Sequence, residues 1–189
     1  MKYSDKNKPI IRFFWLPVCL ILLTLIFILF LPSQKVLSVT NRKNNKESLI
    51  SKQAVSSGFI ISYTHSVNKG RIHDYYEAAE YNELLMDRSR FVSYGAGIIE
   101  PDEEENLEFE VFDGGYEIHG MNRIKKQFLV AVGTIADHTI AVGNDIEISK
   151  EYRLDAFFRQ QTSLILEIKR ISLLKYITKS VTGRNLDTL

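Results

Sequence analysis

The chain opens with a short basic segment and then runs for nineteen residues, 13–31, without one charged side chain. This uncharged run begins at Phe13 and ends at Leu31. A helix of that length covers roughly 28 Å, close to the hydrocarbon thickness of a bilayer. The sequence therefore predicts one membrane-spanning anchor that holds the rest of the chain at a membrane.

A cleavable secretory signal is the alternative, since it also begins with basic residues and an apolar core. The run exceeds the usual core of about 7 to 15 residues, and no Ala-x-Ala-like site follows it. We therefore expect an uncleaved anchor. Cys19 lies early in the run without small residues before it, so we expect a membrane thiol there rather than a lipoprotein cysteine.

The distribution of Lys and Arg predicts the orientation of the anchor. Four of these residues precede it, whereas only Lys35 falls within the ten residues that follow it. The positive-inside rule then places residues 1–12 in the cytoplasm and the C-terminal domain outside. We expect a single-pass protein of the cell membrane with an extracytoplasmic domain, and no cysteine after Cys19 could build a disulfide framework there.

Composition divides the remainder into a linker and one domain. Residues 32–57 are rich in Asn, Ser and Lys with few large apolar side chains, which is typical of a solvated linker. The remaining residues, 58–189, have the length of a single domain with one core. We place the start of that domain at Gly58.

The net charge of +1 hides an acidic body between basic ends. Residues 51–150 carry 9 Lys and Arg against 17 Asp and Glu, whereas residues 151–189 carry 7 against 4. Nucleic-acid binding needs a basic footprint on the folded domain, so we expect no nucleic-acid partner. The sequence also holds no P-loop and no zinc-finger spacing, and we expect no cofactor and no metal.

Beyond residue 57 the dominant hydrophobic period is two, with Val, Ile, Tyr and Phe in short segments bounded by Gly, Asn and Asp. This pattern predicts a mainly β domain, a compact antiparallel β sandwich or barrel. The candidate strands are 58–67, 72–81, 84–93, 107–112, 116–121, 127–134, 138–142, 145–148 and 164–171. A short C-terminal helix is predicted over residues 172–181.

The first predicted hairpin places a histidine on an apolar face, because His65 follows residues 59, 61 and 63 at a period of two. If Val67 pairs with Ile72 across a four-residue loop, His65 lies opposite Asp74. Side chains that face each other in this way are about 5 Å apart at Cβ. The sequence therefore predicts a His65–Asp74 pair.

Three interpretations of this pair remain open. It could be a structural histidine satisfied by a carboxylate, a recognition site for a polar or anionic ligand, or part of a catalytic or metal site. Ser66 points to the opposite face of the strand, so it is a poor nucleophile for His65. A metal would need further ligands, for which His138 is the distant candidate.

Gly95, Ala96 and Gly97 form a small-residue element at a strand end. A tight turn explains them, and the alternative is that their exposed amides line a pocket with His65. The segment that follows, residues 100–110, holds seven carboxylates. A solvated loop is expected for it, with weak calcium binding or electrostatic steering of a partner as alternatives.

The C-terminal helix is predicted to be amphipathic, since Ile171, Leu174 and Ile177 share one helical face. Basic residues lie close to that face, among them Lys175 and Lys179. Two interpretations follow: the apolar face packs onto the domain, or it lies on an anionic membrane surface.

Three sequence elements in order resemble a known bacterial domain family of unknown function. They are Tyr63-Thr64-His65-Ser66-Val67 with an acidic residue nine positions after the histidine, Ser93-Tyr94-Gly95-Ala96-Gly97, and Ala136-Asp137-His138-Thr139-Ile140. The resemblance spans residues 58–177. It departs from the family at the loop 68–71, at the acid, which is usually Glu, and at Ile98-Ile99, where the family tends to Leu-Pro.

The resemblance implies a small domain behind an N-terminal membrane segment, often encoded beside tripartite ATP-independent periplasmic (TRAP) transporters of the TAXI type. No established activity comes with the resemblance. We expect a non-enzymatic accessory or binding protein, with transporter subunits as candidate partners. The alternative is a small-ligand or metal-binding module, and a hydrolase is the less favoured alternative. The candidate ligand or partner residues are His65, Ser66, Asp74, Gly95, Ala96, Gly97 and His138.

Overall fold

The computed structural model describes residues 8–45, 47–93 and 107–189, with side chains from residue 15 onward. The helices are α1 (Lys8–Phe30), α2 (Gln53–Ser57) and α3 (Leu173–Val181). The strands are β1 (Gln34–Asn41), β2 (Ser48–Ser51), β3 (Phe59–Thr64), β4 (Arg71–Ala78), β5 (Leu84–Phe91), β6 (Glu108–Phe112), β7 (Gly115–His119), β8 (Arg123–Lys125), β9 (Gln127–Ala131), β10 (Thr139–Val142), β11 (Glu151–Arg153) and β12 (Ser163–Ile171). The prediction of a mainly β, antiparallel domain with a short C-terminal helix is confirmed.

The described strands form two sheets in which all paired strands are antiparallel. The smaller sheet has the order β2-β1-β12-β9, and the larger has the order β11-β10-β3-β4-β5-β7-β6. One edge of β5 pairs with β4. Its other edge is shared, because the end of β5 pairs with β7 and its beginning pairs with β8. Strand β8 is thereby placed on the same sheet as β4.

The main core lies between the two sheets, since its largest cluster draws fully buried side chains from both. The smaller sheet contributes Leu37, Val39, Leu164 and Leu166, and the larger contributes Phe59, Ile61, Leu84 and Ile140. A separate cluster on the larger sheet is centred on Ile72, Phe91 and Ile118. Burial of alternate residues along these strands explains the period-two pattern of the sequence.

The predicted linker over residues 32–57 is wrong. This segment forms β1, β2 and α2, and β1 lies inside its sheet with β12 on one edge and β2 on the other. Polar side chains made the segment look solvated, but in the fold Ser38, Thr40, Ser48 and Ser51 are buried. The hydroxyls of Ser38 and Thr40, for example, are 2.9 Å apart and both residues are buried. The domain therefore begins near Gln34 and not at Gly58.

Most predicted strands are confirmed within a few residues, but one is wrong and others were missed. Residues 145–148 form a turn instead of a strand, and Ile146 covers an apolar cluster on the outer face of the larger sheet. Strands β8 and β11 were not predicted. Each has three residues and exists through its pairing with a longer neighbour, β5 or β10.

Helix α3 packs against the outer face of the smaller sheet through a residue that the predicted apolar face did not include. Tyr176 contacts a cluster made by Val36, Ile50 and Ile171. Ser172 caps the helix by accepting a hydrogen bond from the N–H of Lys175. Of the predicted face, Ile171 is buried in this cluster, whereas Leu174 and Ile177 are exposed.

Helix α1 precedes β1 and carries the uncharged run. Its described apolar side chains are largely exposed, and Cys19 is a free, exposed thiol. None of the helices, judged on the residues described, is long and apolar enough to cross a membrane.

Candidate functional site

The first hairpin has a different register from the one predicted. Tyr63 pairs with Ile72 and Ile61 pairs with Asp74, so the predicted pairing of His65 with Asp74 is wrong. The ladder stops at Thr64, and residues 65–70 form a turn that is longer than the predicted loop. The register is therefore shifted by four residues.

Backbone and side-chain hydrogen bonds inside the turn explain why it is longer than expected. The backbone N–H of His65 donates to the carbonyl of Gly70 at 2.9 Å, and the N–H of Gly70 donates to Oδ1 of Asn68 at 3.0 Å. His65 Nδ1 lies 3.4 Å from the amides of Val67 and Asn68. The imidazole thus contacts the turn backbone. This contact could not be predicted from the alternation of side chains along the strand.

A shift by an even number of residues leaves each side chain on its predicted face. His65 and Asp74 consequently still face the same region, and both line a cavity of about 280 Å³ on the inner face of the larger sheet. We call this cavity the Asp74 pocket. Its apolar lining is Ile72, Met86, Phe91, Ile118, Met121 and Phe128, and its polar lining is Tyr63, His65, Asp74, Ser89, Arg123 and Lys125.

Asp74 is the buried carboxyl group of the pocket, with 8 % of its surface exposed. Ser89, its direct partner in the β4–β5 register, donates a hydrogen bond from Oγ to Asp74 Oδ1 at 2.7 Å. The Tyr63 hydroxyl hydrogen-bonds to the same carboxyl group. Burial raises the pKa of Asp74 to about 6, although these two hydrogen bonds and the nearby Arg123 oppose the rise.

Tyr63 stays protonated because burial and the neighbouring Asp74 carboxylate both raise the pKa of its hydroxyl. It therefore acts as a hydrogen-bond donor. His138, a predicted site residue, stacks on the Tyr63 ring with centroids 5.5 Å apart. Its Nδ1 accepts the N–H of Gly133 at 3.2 Å, and burial lowers its pKa. His138 thus supports the pocket through Tyr63 without lining it.

The remaining predicted site residues do not join the pocket within the described structure. Ser66 is exposed in the hairpin turn and is not part of the lining. Gly95, Ala96 and Gly97 lie outside the described residues, as does most of the acidic segment 100–110. Ser93 is the last described residue before them, and its carbonyl accepts a hydrogen bond from Asn68 Nδ2 in the hairpin turn at 2.7 Å.

Sequence reasoning missed Ser89, Arg123 and Lys125. Ser89 faces Asp74 through the β4–β5 ladder, in which a bulge at Tyr75 and Tyr76 changes the register. The cations reach the pocket because β8 pairs with the beginning of β5. A candidate signal is the Arg123-x-Lys125 alternation, which places both side chains on one face of a strand.

A second polar cluster lies on the opposite face of the larger sheet. Ser62 Oγ and His73 Nδ1 are 2.8 Å apart, and the pKa of His73 is lowered by burial. The neighbouring Arg71 donates to Thr139 Oγ1 at 2.7 Å and to Glu151 at 2.8 Å. Ser62 is only 1 % exposed, so its hydroxyl is out of reach of a substrate.

Three potential metal ligands also come together among the described residues. Atoms of Glu110, Glu117 and His119 lie within 4.8 Å of one another. However, Glu117 already accepts hydrogen bonds from Arg88 at 3.2 Å and Arg90 at 2.9 Å. Two guanidinium groups on one carboxylate oppose a metal cation electrostatically, so this cluster is better described as an ion-pair network.

Comparisons with known proteins give one similarity. No curated protein matches the chain, and no solved structure matches it. The similarity covers residues 59–148, which include every residue that lines the Asp74 pocket, whereas β1, β2, β12 and α3 lie outside this range. Residues 59–148 match a family described as a domain of unknown function (DUF1850), which confirms the resemblance to a domain family of unknown function.

Proposed function

We propose that this chain is a membrane-anchored binding protein whose Asp74 pocket takes a small organic carboxylate. The observation that carries the proposal is the composition of the pocket: two cations, a buried carboxyl with two hydrogen-bonding partners, and apolar walls. Binding sites for small molecules typically combine apolar walls with a few convergent polar groups. The volume of about 280 Å³ favours a ligand smaller than those that fill typical pockets of about 300 to 1,000 Å³.

The charges of the lining favour an anionic ligand. Arg123 and Lys125 are exposed and line the pocket, so they can hold a carboxylate group while remaining in contact with water. Met121 and Phe128, which are partly exposed, offer an apolar surface for the remainder of the ligand. Asp74 favours the same ligand only when it is protonated, because its ionised form repels a second carboxylate.

Binding is a better supported role than catalysis. Ser89 donates its hydroxyl hydrogen to Asp74, and Tyr63 is held in its protonated form. The short serine–histidine contact described above, between Ser62 and His73, lies on the other face of the sheet with Ser62 buried. These arrangements stabilise the fold and leave recognition as the chemistry that the pocket supports.

The membrane-anchored, extracytoplasmic location is part of this proposal. It is supported by the uncharged run 13–31, by the basic residues before it, and by the exposure of the described apolar side chains of α1. Association with a TRAP-type transporter is supported by the family resemblance alone. In that arrangement the domain would present its pocket on the side from which the transporter takes its solute.

Replacing Arg123 by glutamine is expected to weaken binding of a small carboxylate by about tenfold, since one charge-assisted hydrogen bond is lost. The experiment is isothermal titration of the full chain in mild detergent with acetate, propionate, benzoate and leucine. Lys126→Gln is the matched control, because Lys126 is an exposed neighbouring cation that does not line the pocket. Equal affinities in both variants, or no binding by wild type, would contradict the proposal.

Transporter association predicts that TRAP subunits co-purify with the full chain from native membranes in mild detergent. A pull-down with wild type and His65→Ala, read by mass spectrometry, also tests whether the pocket side of the domain carries the contact. Recovery of the subunits with wild type and their loss with His65→Ala are the expected results. If crosslinking captures no transporter subunit with either form, the accessory role is wrong, while the ligand titration stands separately.

A further inference from the structure

The fold places α3 beside the point where α1 leaves the domain. Helix α1 ends at Phe30, β1 begins at Gln34, and Gln34 pairs with Ile171 at the end of β12. Helix α3 starts two residues later, at Leu173, and contacts α1. The β1–β12 register therefore fixes both helices at the same end of the smaller sheet.

Helix α3 is docked by one side and leaves an apolar stripe on the other. Tyr176 packs onto the sheet, whereas Leu174, Ile177 and Val181 are 41 %, 46 % and 81 % exposed. These three residues follow the i, i+3, i+7 spacing of one helical face. We call them the α3 stripe. An apolar stripe of this kind is typical of a helix that lies in a membrane interface.

Cations lie at the same end of the domain. Lys175 is exposed on α3 next to the stripe, and Lys52 Nζ donates to Gln34 at 3.2 Å. Anionic lipid headgroups attract cations that lie close to a bilayer surface.

We propose that the α3 stripe, with the exposed Lys175 beside it and Lys52 at the same end of the domain, inserts into the headgroup region of an anionic bilayer. The inference rests on the proposed anchoring by α1 and deepens it: the domain would lie down on the membrane and not swing on a tether. The charge of these two lysines and the continuity of the stripe with the exposed apolar surface of α1 favour lipid over a protein partner. The orientation of the Asp74 pocket relative to the membrane would then be fixed.

Depth-dependent fluorescence quenching tests this inference on the full chain. A Cys19→Ser background leaves no native thiol, so Ile177→Cys can be labelled with an environment-sensitive fluorophore. The labelled protein is reconstituted into phosphatidylcholine vesicles with and without phosphatidylglycerol, using lipids that carry a spin label near the headgroup. The matched control is Val111→Cys, which is 74 % exposed on β6 at the edge of the larger sheet.

We expect quenching at position 177 to be about threefold stronger than at position 111 in vesicles with phosphatidylglycerol, and Lys175→Glu to reduce it. Equal quenching at the two positions in protein that floats with the vesicles would overturn the inference while leaving the anchor intact. If the label at position 177 became shielded from water only as the protein concentration rose, the inference would also be overturned. A second copy of the chain would then cover the stripe. Failure of the protein to float would overturn the anchor and the inference together.

Discussion

Replacing Asp74 by asparagine is expected to stabilise the fold at about pH 7.5 by roughly 2 kcal/mol. Burial raises the pKa of this carboxyl to about 6 in the folded chain, from the ordinary value of 3.8. Above pH 6 wild type must therefore keep a charge in a poorly solvated position. Asparagine has nearly the same shape, carries no charge, and can still accept the hydrogen bond from Ser89.

The sign of the pH dependence follows from that raised pKa. Because the folded state holds the proton more tightly than the unfolded state, Asp74 contributes stability below about pH 4 and loses it as the pH rises through 6. The advantage of Asp74→Asn should thus shrink as the pH falls from 7.5 toward 4. Urea unfolding of the full chain in mild detergent at several pH values measures this difference directly.

The control for this prediction is Asp113→Asn, since Asp113 is exposed in the turn between β6 and β7. Surface substitutions of this kind are usually within about 0.5 kcal/mol of wild type, with no comparable pH trend. An Asp74→Asn variant that is less stable than wild type at neutral pH would contradict the argument. It would mean that the hydrogen bonds from Tyr63 and Ser89 stabilise the ionised carboxylate by more free energy than its burial loses.

The same substitution connects stability to the proposed ligand. If the pocket takes a carboxylate, wild-type affinity should rise as the pH falls through about 6, because protonated Asp74 no longer repels the ligand. Asp74→Asn should remove that pH dependence. A zwitterionic ligand whose ammonium group pairs with Asp74 would show the opposite trend, so the titration with leucine separates the two classes.

Truncating Leu37 to alanine is expected to cost about 3 kcal/mol of unfolding free energy, within the usual range of roughly 2 to 5 kcal/mol for such changes. Leu37 is fully buried in the main core, and β1 has paired strands on both edges, so little room exists for the neighbours to relax. Urea unfolding of the full chain measures the loss.

Leu129→Ala is the matched control, because Leu129 lies on β9 of the same sheet but is 55 % exposed. Its cost should stay below about 1 kcal/mol. If Leu37→Ala were as mild as the control, residues 34–57 would be the solvated linker that their composition suggests. A large difference between the two variants would instead show that the domain depends on β1.

Local sequence was sufficient for those elements whose own side chains alternate strongly. Strands β5 and β12 bury alternate residues along most of their length, and they were predicted together with β3 and β4, which also bury runs of consecutive residues. Helix α3 was predicted from its helical spacing. The face of Asp74 was also predicted correctly, because the parity of a strand survives a register shift by an even number of residues. The uncharged run 13–31 is likewise a property of the sequence alone.

Tertiary structure decided what depends on neighbours distant in sequence. Strand β1 is polar enough to resemble a linker, and only its position between β2 and β12 buries Ser38 and Thr40 as a hydrogen-bonded pair. The hairpin register depends on hydrogen bonds within the turn 65–70, which alternation does not encode. Arg123 reaches the Asp74 pocket because three residues of β8 pair with β5. Each of these outcomes rests on pairing across the fold, because a strand's partners, and not its own sequence, determine which of its polar groups are buried.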